Sequence, residues 1–134
     1  MSYNLFLDDL RFPEDVKWVK LPSVQWEIVR DYNQFVEIIQ KKGVPRMVSF
    51  DHDLADEHYK EFFACNKEGV INKGKIRYEK LTEKTGYHCA MWLSQFCVDK
   101  GLPLPLYYLH SMNGPGCQNI FSVMESARKV IDGE

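Results

Sequence analysis

Three apolar runs in this chain end abruptly in acidic or histidine-bearing residues. Tyr3–Leu7 stops at Asp8-Asp9, Met47–Phe50 at Asp51-His52-Asp53, and Leu106–Leu109 at His110-Ser111-Met112-Asn113. Short apolar runs bounded in this way read as strands. If they are neighbouring parallel strands, all three clusters meet at one edge of the sheet. In open α/β sheets the crevice beyond the carboxyl ends of the strands is where ligands bind. Buried carboxylates are costly unless paired or metal-bound, so a fold has little structural need for such a concentration.

The rest of the chain fits helices between these strands. Trp26–Arg30 is a further strand candidate, and Asp31 can cap a helix with Gln34 as its reciprocal partner. Phe35, Ile38 and Ile39 give that helix its apolar face, and Lys41-Lys42-Gly43 ends it. Thr85 can cap an element running to about Lys100, with Cys89, Leu93, Phe96 and Cys97 at helical spacing. After Gly114-Pro115-Gly116 comes the clearest helix, with Ile120, Met124, Ala127 and Ile131 on one face. Arg11–Asp15 reads as loop. Leu54–Glu83 shows no clear period and is too long for a plain loop in a compact domain. It reads as an insertion, about residues 55–84, with some structure of its own. Strands alternating with helices predict a parallel, doubly wound α/β sheet. Nothing is left after the last helix for a fifth strand.

The 134 residues read as a single domain, 1–134, with a net charge of −2. That balance gives no basic footprint and argues against duplex nucleic acid as a partner, while leaving room for a pocket that takes a nucleotide end. The start of the chain lacks a signal-peptide pattern and no apolar run approaches a membrane span, so the expected location is cytoplasmic, with no membrane partner. Cys65, Cys89, Cys97 and Cys117 form no CxxC pair, which weakens any zinc-ribbon reading. Cys117, beside the Gly-Pro-Gly turn, is a minor candidate nucleophile.

Each cluster has a chemical reading and a plainer one. Asp8-Asp9 can ligate a hard cation such as Mg²⁺, or cap a loop. Asp51 and Asp53 face together if the strand persists; alternatively the chain turns and presents His52. His52 can move protons near neutral pH or be held by its acidic neighbours for structure. His110-Ser111-Met112-Asn113-Gly114-Pro115-Gly116 offers a second imidazole, two neutral hydrogen-bonding side chains and backbone amides at a helix start that favour an anion, or it is an ordinary turn. Two imidazoles across one pocket suit phosphodiester chemistry, one deprotonating water and the other protonating the departing oxygen. The aspartates then orient the histidines or bind metal. His58 and His88 read as surface or structural.

The ordered motifs Leu5–Pro13 (LFLDDLRFP), Ser49–Leu54 (SFDHDL), Thr85-Gly86 and His110–Gly116 (HSMNGPG) resemble the cyclic-phosphate processing receiver-like domain, a divergent branch of the response-regulator receiver fold. The resemblance spans nearly the whole chain. It implies a flavodoxin-like three-layer sandwich around a four-stranded parallel sheet, with the insertion after the third strand. It also implies action on cyclic phosphates such as 2′,3′-cyclic RNA ends, in phage and bacterial RNA-repair or conflict systems. Asp8 and Asp9 match the receiver acidic pair, Asp51 the phosphoacceptor position and Ser111 the small hydroxyl residue. His52 and His110 are not receiver residues, and the final strand with its lysine is missing, which speaks against phospho-relay.

The resulting expectation is a cytoplasmic phosphoesterase, a hydrolase that opens a 2′,3′-cyclic RNA end or a related cyclic nucleotide. His52 and His110 form the acid–base pair, with Asp51 and Asp8 beside them. Arg11, Ser111, Asn113, Gly114 and Thr85 bind phosphate. No cofactor is fixed; Mg²⁺ or Mn²⁺ on Asp8, Asp9 and Asp51 is the candidate. The insertion, with Lys73, Lys75, Arg77 and Lys80, is expected to act as a lid. The rivals are a module that sequesters a cyclic nucleotide without turnover, and a phosphoacceptor or protein-interaction receiver.

Overall fold

The structure is a computed structural model that describes residues 2–67 and 74–133. Four strands, β1 (Asn4–Leu7), β2 (Glu27–Val29), β3 (Met47–Phe50) and β4 (Leu106–Leu109), form one sheet in the order β2-β1-β3-β4, with every pairing parallel. Four helices accompany them: α1 (Tyr32–Lys42), α2 (Asp56–Cys65), α3 (Gly86–Lys100) and α4 (Gly114–Asp132). This is the parallel α/β arrangement expected from the strand and helix signals and the receiver-like one implied by the resemblance, with no fifth strand among the described residues.

Strand alternation sorts the side chains. Leu5 pairs with Val48 and Leu7 with Phe50, and these four point to the helices. There they meet Phe35 and Ile39 of α1, Cys89, Leu93 and Cys97 of α3, and Ile120 and Met124 of α4, all buried. Each such large side chain contributes about 1.5–3 kcal/mol on leaving water. Helix α3 packs against both α1 and α4. The opposite face carries Phe6 and Ser49, which are register partners. No α-helix covers that face between β1 and β2. The connection instead holds a single 3-10 turn, Pro13–Asp15, and an extended segment that lays Trp26 edge-on against Phe6, with ring centroids 6.3 Å apart. The third layer is therefore irregular, and the loop expected at residues 11–15 is part of it.

Capping follows the sequence. Asp31 accepts from the Gln34 amide at 2.8 Å, while the Gln34 side chain accepts from the amide of Arg30 rather than from that of Asp31. Thr85 caps α3 by accepting from the Tyr87 amide. Its capping box is completed by His88, whose Nδ1 accepts from the Thr85 amide at 2.8 Å. The insertion departs from expectation. It contains a regular ten-residue helix, α2, whose inward residues are His58, Glu61 and Cys65. Their spacing is helical, but two of the three are polar, so no apolar period marks the helix. His58 Nδ1 accepts from the Leu54 amide at 2.7 Å and its Nε2–H donates to the Glu83 carbonyl. The insertion is fastened back on α2 by carboxylates. Glu61 takes the amide and guanidinium of Arg77, and Glu57 takes the Thr82 amide and hydroxyl. Lys73 of the expected basic stretch lies outside the described residues. Among the described residues, no helix is long and apolar enough to cross a membrane.

Two structural histidines contribute to the fold only while they are neutral. His58 and His88 each use Nδ1 as an acceptor for a backbone N–H, so both must be neutral there. Burial holds both below the ordinary value of 6.5, His88 at about 4, where the Lys84 charge adds to the effect. At His58 the hydrogen bond to the Glu83 carbonyl, then the charges of Asp53 and Glu57, oppose the shift without reversing it. The folded state therefore binds fewer protons than the unfolded chain between these values. The stabilisation is complete above pH 6.5 and is lost as pH falls through that window toward about 4. Asp51, pushed up to about 8, acts in the opposite sense over the same window, so the histidine contribution is read from the difference between wild type and His88→Gln in urea melts at pH 7 and at pH 4.5. In His88→Gln the loss should shrink, because Gln fills the same capping-box position without titrating.

Candidate active site

The carboxyl ends of β1, β3 and β4 bring Asp8, Asp51 and His110 together. Alternation places all three on the Phe6–Ser49 face, away from the helices. One ligand-type atom from each lies within 4.8 Å of the others, and all three residues are buried. Thus the convergence anticipated from the three strand ends is realised for Asp8, Asp51 and His110.

Asp8 is saturated. Its Oδ1 accepts from the Leu10 and Arg11 amides at 2.9 and 2.8 Å, and its Oδ2 accepts from His110 Nε2–H at 3.0 Å. Burial pushes its carboxyl up, but these hydrogen bonds outweigh it and hold it below the ordinary value. His110 is fixed on every side. Ser49 Oγ–H donates to its Nδ1 at 2.6 Å, its ring stacks on Phe6 at 4.6 Å, and its carbonyl accepts from Trp18 Nε1.

Asp51 is the exception. Its Oδ1 accepts from the His52 amide at 2.9 Å, while Oδ2 is buried and has no partner among the described residues. Burial, then the charges of Asp8, Asp53 and Asp9, push this carboxyl up to about 8, against the nearby Ser111 hydroxyl, which lowers it without making a well-formed hydrogen bond to Oδ2. Two clustered carboxylates beside an imidazole, one of them with an oxygen that makes no hydrogen bond, are a donor set for a divalent cation. The residues present therefore fit a metal, with one change from the expected set. Asp9 stands aside, accepting from the Tyr59 hydroxyl at 3.2 Å, and His110 takes its place in the cluster.

The chain turns immediately after β3, so Asp51 joins Asp8 and His110 while Asp53 bonds His52. Asp53 Oδ1 accepts from His52 Nδ1–H at 2.7 Å and from Asn113 Nδ2 at 3.0 Å. The Tyr78 hydroxyl donates to His52 Nε2 at 2.8 Å and accepts from Asn119. Gly116 lies flat against the ring, where a Cβ would stand 2.4 Å from Cγ. Both imidazoles of the expected acid–base pair are therefore buried with both nitrogens engaged.

The expected phosphate ligands divide. Arg11 is partly exposed, 3.7 Å from Asp8, with its guanidinium over Trp18. Gly114 is exposed in the first turn of α4. Ser111 accepts from the Asn113 amide. Asn113 is buried and occupied, capping α4 through the Gly116 amide as well as bonding Asp53. Thr85 is buried and spent on its helix cap; it touches the site only through its neighbour Gly86, whose amide donates to the His52 carbonyl. Cys117 donates to the Ser111 carbonyl, and burial first, then the Asp51 charge, raise its thiol to about 11, which removes it as a nucleophile near neutrality.

Sequence reasoning missed Ser49, Trp18 and Tyr78. Ser49 carried a signal, as the sole hydroxyl in an otherwise apolar strand. Tyr78 carried none, since it reaches His52 across 26 residues. The family model of the cyclic-phosphate processing receiver domain matches residues 3–126, and the chain belongs to that family. No curated protein and no solved structure gives a significant match.

Proposed function

We propose that this domain, whose family places it in cyclic-phosphate processing, is itself the enzyme: a hydrolase that opens a 2′,3′-cyclic RNA end or a related cyclic nucleotide at the carboxyl-end cleft. The observation that carries the reading is the orphaned Oδ2 of Asp51 beside Asp8 and His110. A buried carboxylate without a partner costs stability that a purely structural site has no reason to bear. Asp8 and Asp51 are the residues that would hold a divalent cation, with the His110 imidazole beside them left for proton transfer. Such an ion supplies charge neutralisation for the phosphate and polarises its oxygens.

The protein's own groups have distinct tasks in this reading. Arg11 clamps a non-bridging oxygen with its planar fork. The Gly114 amide at the start of α4 offers a second anion donor. His110, oriented by Ser49, and His52, oriented by Asp53, share the proton transfers. His52 Nε2 reaches a substrate only once the Tyr78 hydroxyl withdraws, so the insertion bearing Tyr78 moves on binding.

Phosphorus NMR of nucleoside 2′,3′-cyclic monophosphates with the protein, with and without Mg²⁺ or Mn²⁺, tests the reading. A new monoester resonance is expected. Calorimetric titration with Mn²⁺ should show one site in the wild type that disappears in Asp51→Asn. Sequestration without turnover is the second reading, favoured by the burial and full engagement of both imidazoles. Tight binding of the cyclic phosphate with no monoester formed would establish it instead.

A further inference from the structure

Four large exposed apolar side chains lie on the connections that follow Asp8 and His110 in the chain. Leu10 is 74% exposed, Met112 65%, Phe12 47% and Trp18 39%. Each is tied to the Asp8–Asp51–His110 centre by the backbone or by one contact. The Leu10 amide donates to Asp8, and Met112 follows His110 by two residues. Trp18 donates its indole N–H to the His110 carbonyl at 2.6 Å. Phe12 lies under the Arg30 guanidinium at 4.7 Å, and Arg30 in turn donates to the carbonyls of Asp8 and Arg11. Single exposed apolar residues need no explanation, whereas a group of them around a polar pocket marks a binding surface.

The two rings of this rim are each paired with a cation, Trp18 with Arg11 at 5.0 Å and Phe12 with Arg30. Flat π-faces beside fixed guanidinium groups are what an unpaired base and its phosphate require. The rings are also held in advance. Arg30 staples the loop after β1, and Trp18 is anchored by its N–H, so little conformational entropy is lost when a base stacks on them. A base inside a duplex is already stacked and cannot use such a surface, in keeping with a chain whose net charge is −2.

We infer that the rim formed by Leu10, Phe12, Trp18 and Met112 is a stacking platform for the unpaired nucleobase next to the reacting phosphate. The ligand class is therefore a single-stranded RNA end or a free nucleotide, not a base-free sugar phosphate. This deepens the cyclic-phosphate reading and rests on it for the position of the phosphate, but the platform itself can be tested alone.

Two probes separate the platform from the chemistry. The first is a uridylate pentamer with an ordinary 3′-hydroxyl, followed by quenching of tryptophan fluorescence. The wild type is expected to bind it. Phe12→Ser and Met112→Ser should weaken binding about 5- to 100-fold each, with melting temperatures measured alongside to confirm that each variant is folded. The second compares uridine 2′,3′-cyclic phosphate with methyl riboside 2′,3′-cyclic phosphate. Affinity should favour the base-bearing compound by a similar factor in the wild type, and the advantage should vanish in the double variant. Pentamer binding without any binding of cyclic phosphate would keep the platform and remove the cyclic-phosphate reading. Equal affinity for the two cyclic phosphates, or variants that leave pentamer binding unchanged, would overturn the platform.

Discussion

Gly86→Ala is expected to lower stability by about 3 kcal/mol or more, enough to unfold much of a domain of this size. A Cβ at position 86 would stand 1.8 Å from the Asp51 carbonyl oxygen, 2.9 Å from its carbon and 3.0 Å from His52 Cα. All three are backbone atoms, so no rotamer change relieves the clash. The Gly86 amide also donates to the His52 carbonyl at 2.8 Å, docking the start of α3 under the turn that carries Asp51 and His52. Moving α3 outward would break that bond and pull Leu93 and Cys97 from the core. Gly114→Ala is the matched control, since nothing lies within 4 Å of a Cβ there. Urea melts of the two variants should differ sharply; similar midpoints would mean that the approach of α3 to the turn is looser than described.

The Thr-Gly motif at positions 85–86 thus owes its residues to construction. Thr85 caps the helix, and Gly86 lets it approach the site's backbone. Sequence reasoning saw the cap and also gave Thr85 to the phosphate, because a hydroxyl near a glycine looks the same in both roles. The strands, their parallel order and three of the four helices were legible because apolar residues recur at the right periods. Helix α2 was not, because its buried side is made of His58, Glu61 and Cys65. Their burial depends on partners 16 to 25 residues away, Arg77 and Glu83, which no local pattern announces. The site was legible as a convergence of strand ends. Its inner wiring was not, since which carboxylate stays unpaired depends on the turn after β3. That turn sends Asp53 to His52 and leaves Asp51 Oδ2 alone.

The roles of the two histidines predict a second large effect. If they share acid–base work, His52→Asn and His110→Asn should each lower turnover of a cyclic phosphate about 10²- to 10⁴-fold. Asparagine is preferred to alanine at 110 because it keeps a donor for Asp8, which would otherwise be left with one fewer hydrogen bond in a buried site. Binding should fall much less, as Arg11 and the Gly114 amide remain. The wild-type rate should be bell-shaped in pH, and each single variant should lose one limb. The double variant should be little worse than the worse single one, because groups acting as a unit are not additive. Two further variants isolate His52. Gly116→Ala places a methyl 2.4 Å from the ring and displaces it without removing it, so turnover should fall while both imidazoles persist. Tyr78→Phe removes the hydroxyl that blocks Nε2 and should leave turnover intact or raise it. If His52 only props the turn that presents Asp51, both limbs of the pH profile survive in His52→Asn. Full activity in His110→Asn would end the acid–base assignment, leaving Asp8 and Asp51 as the chemical core.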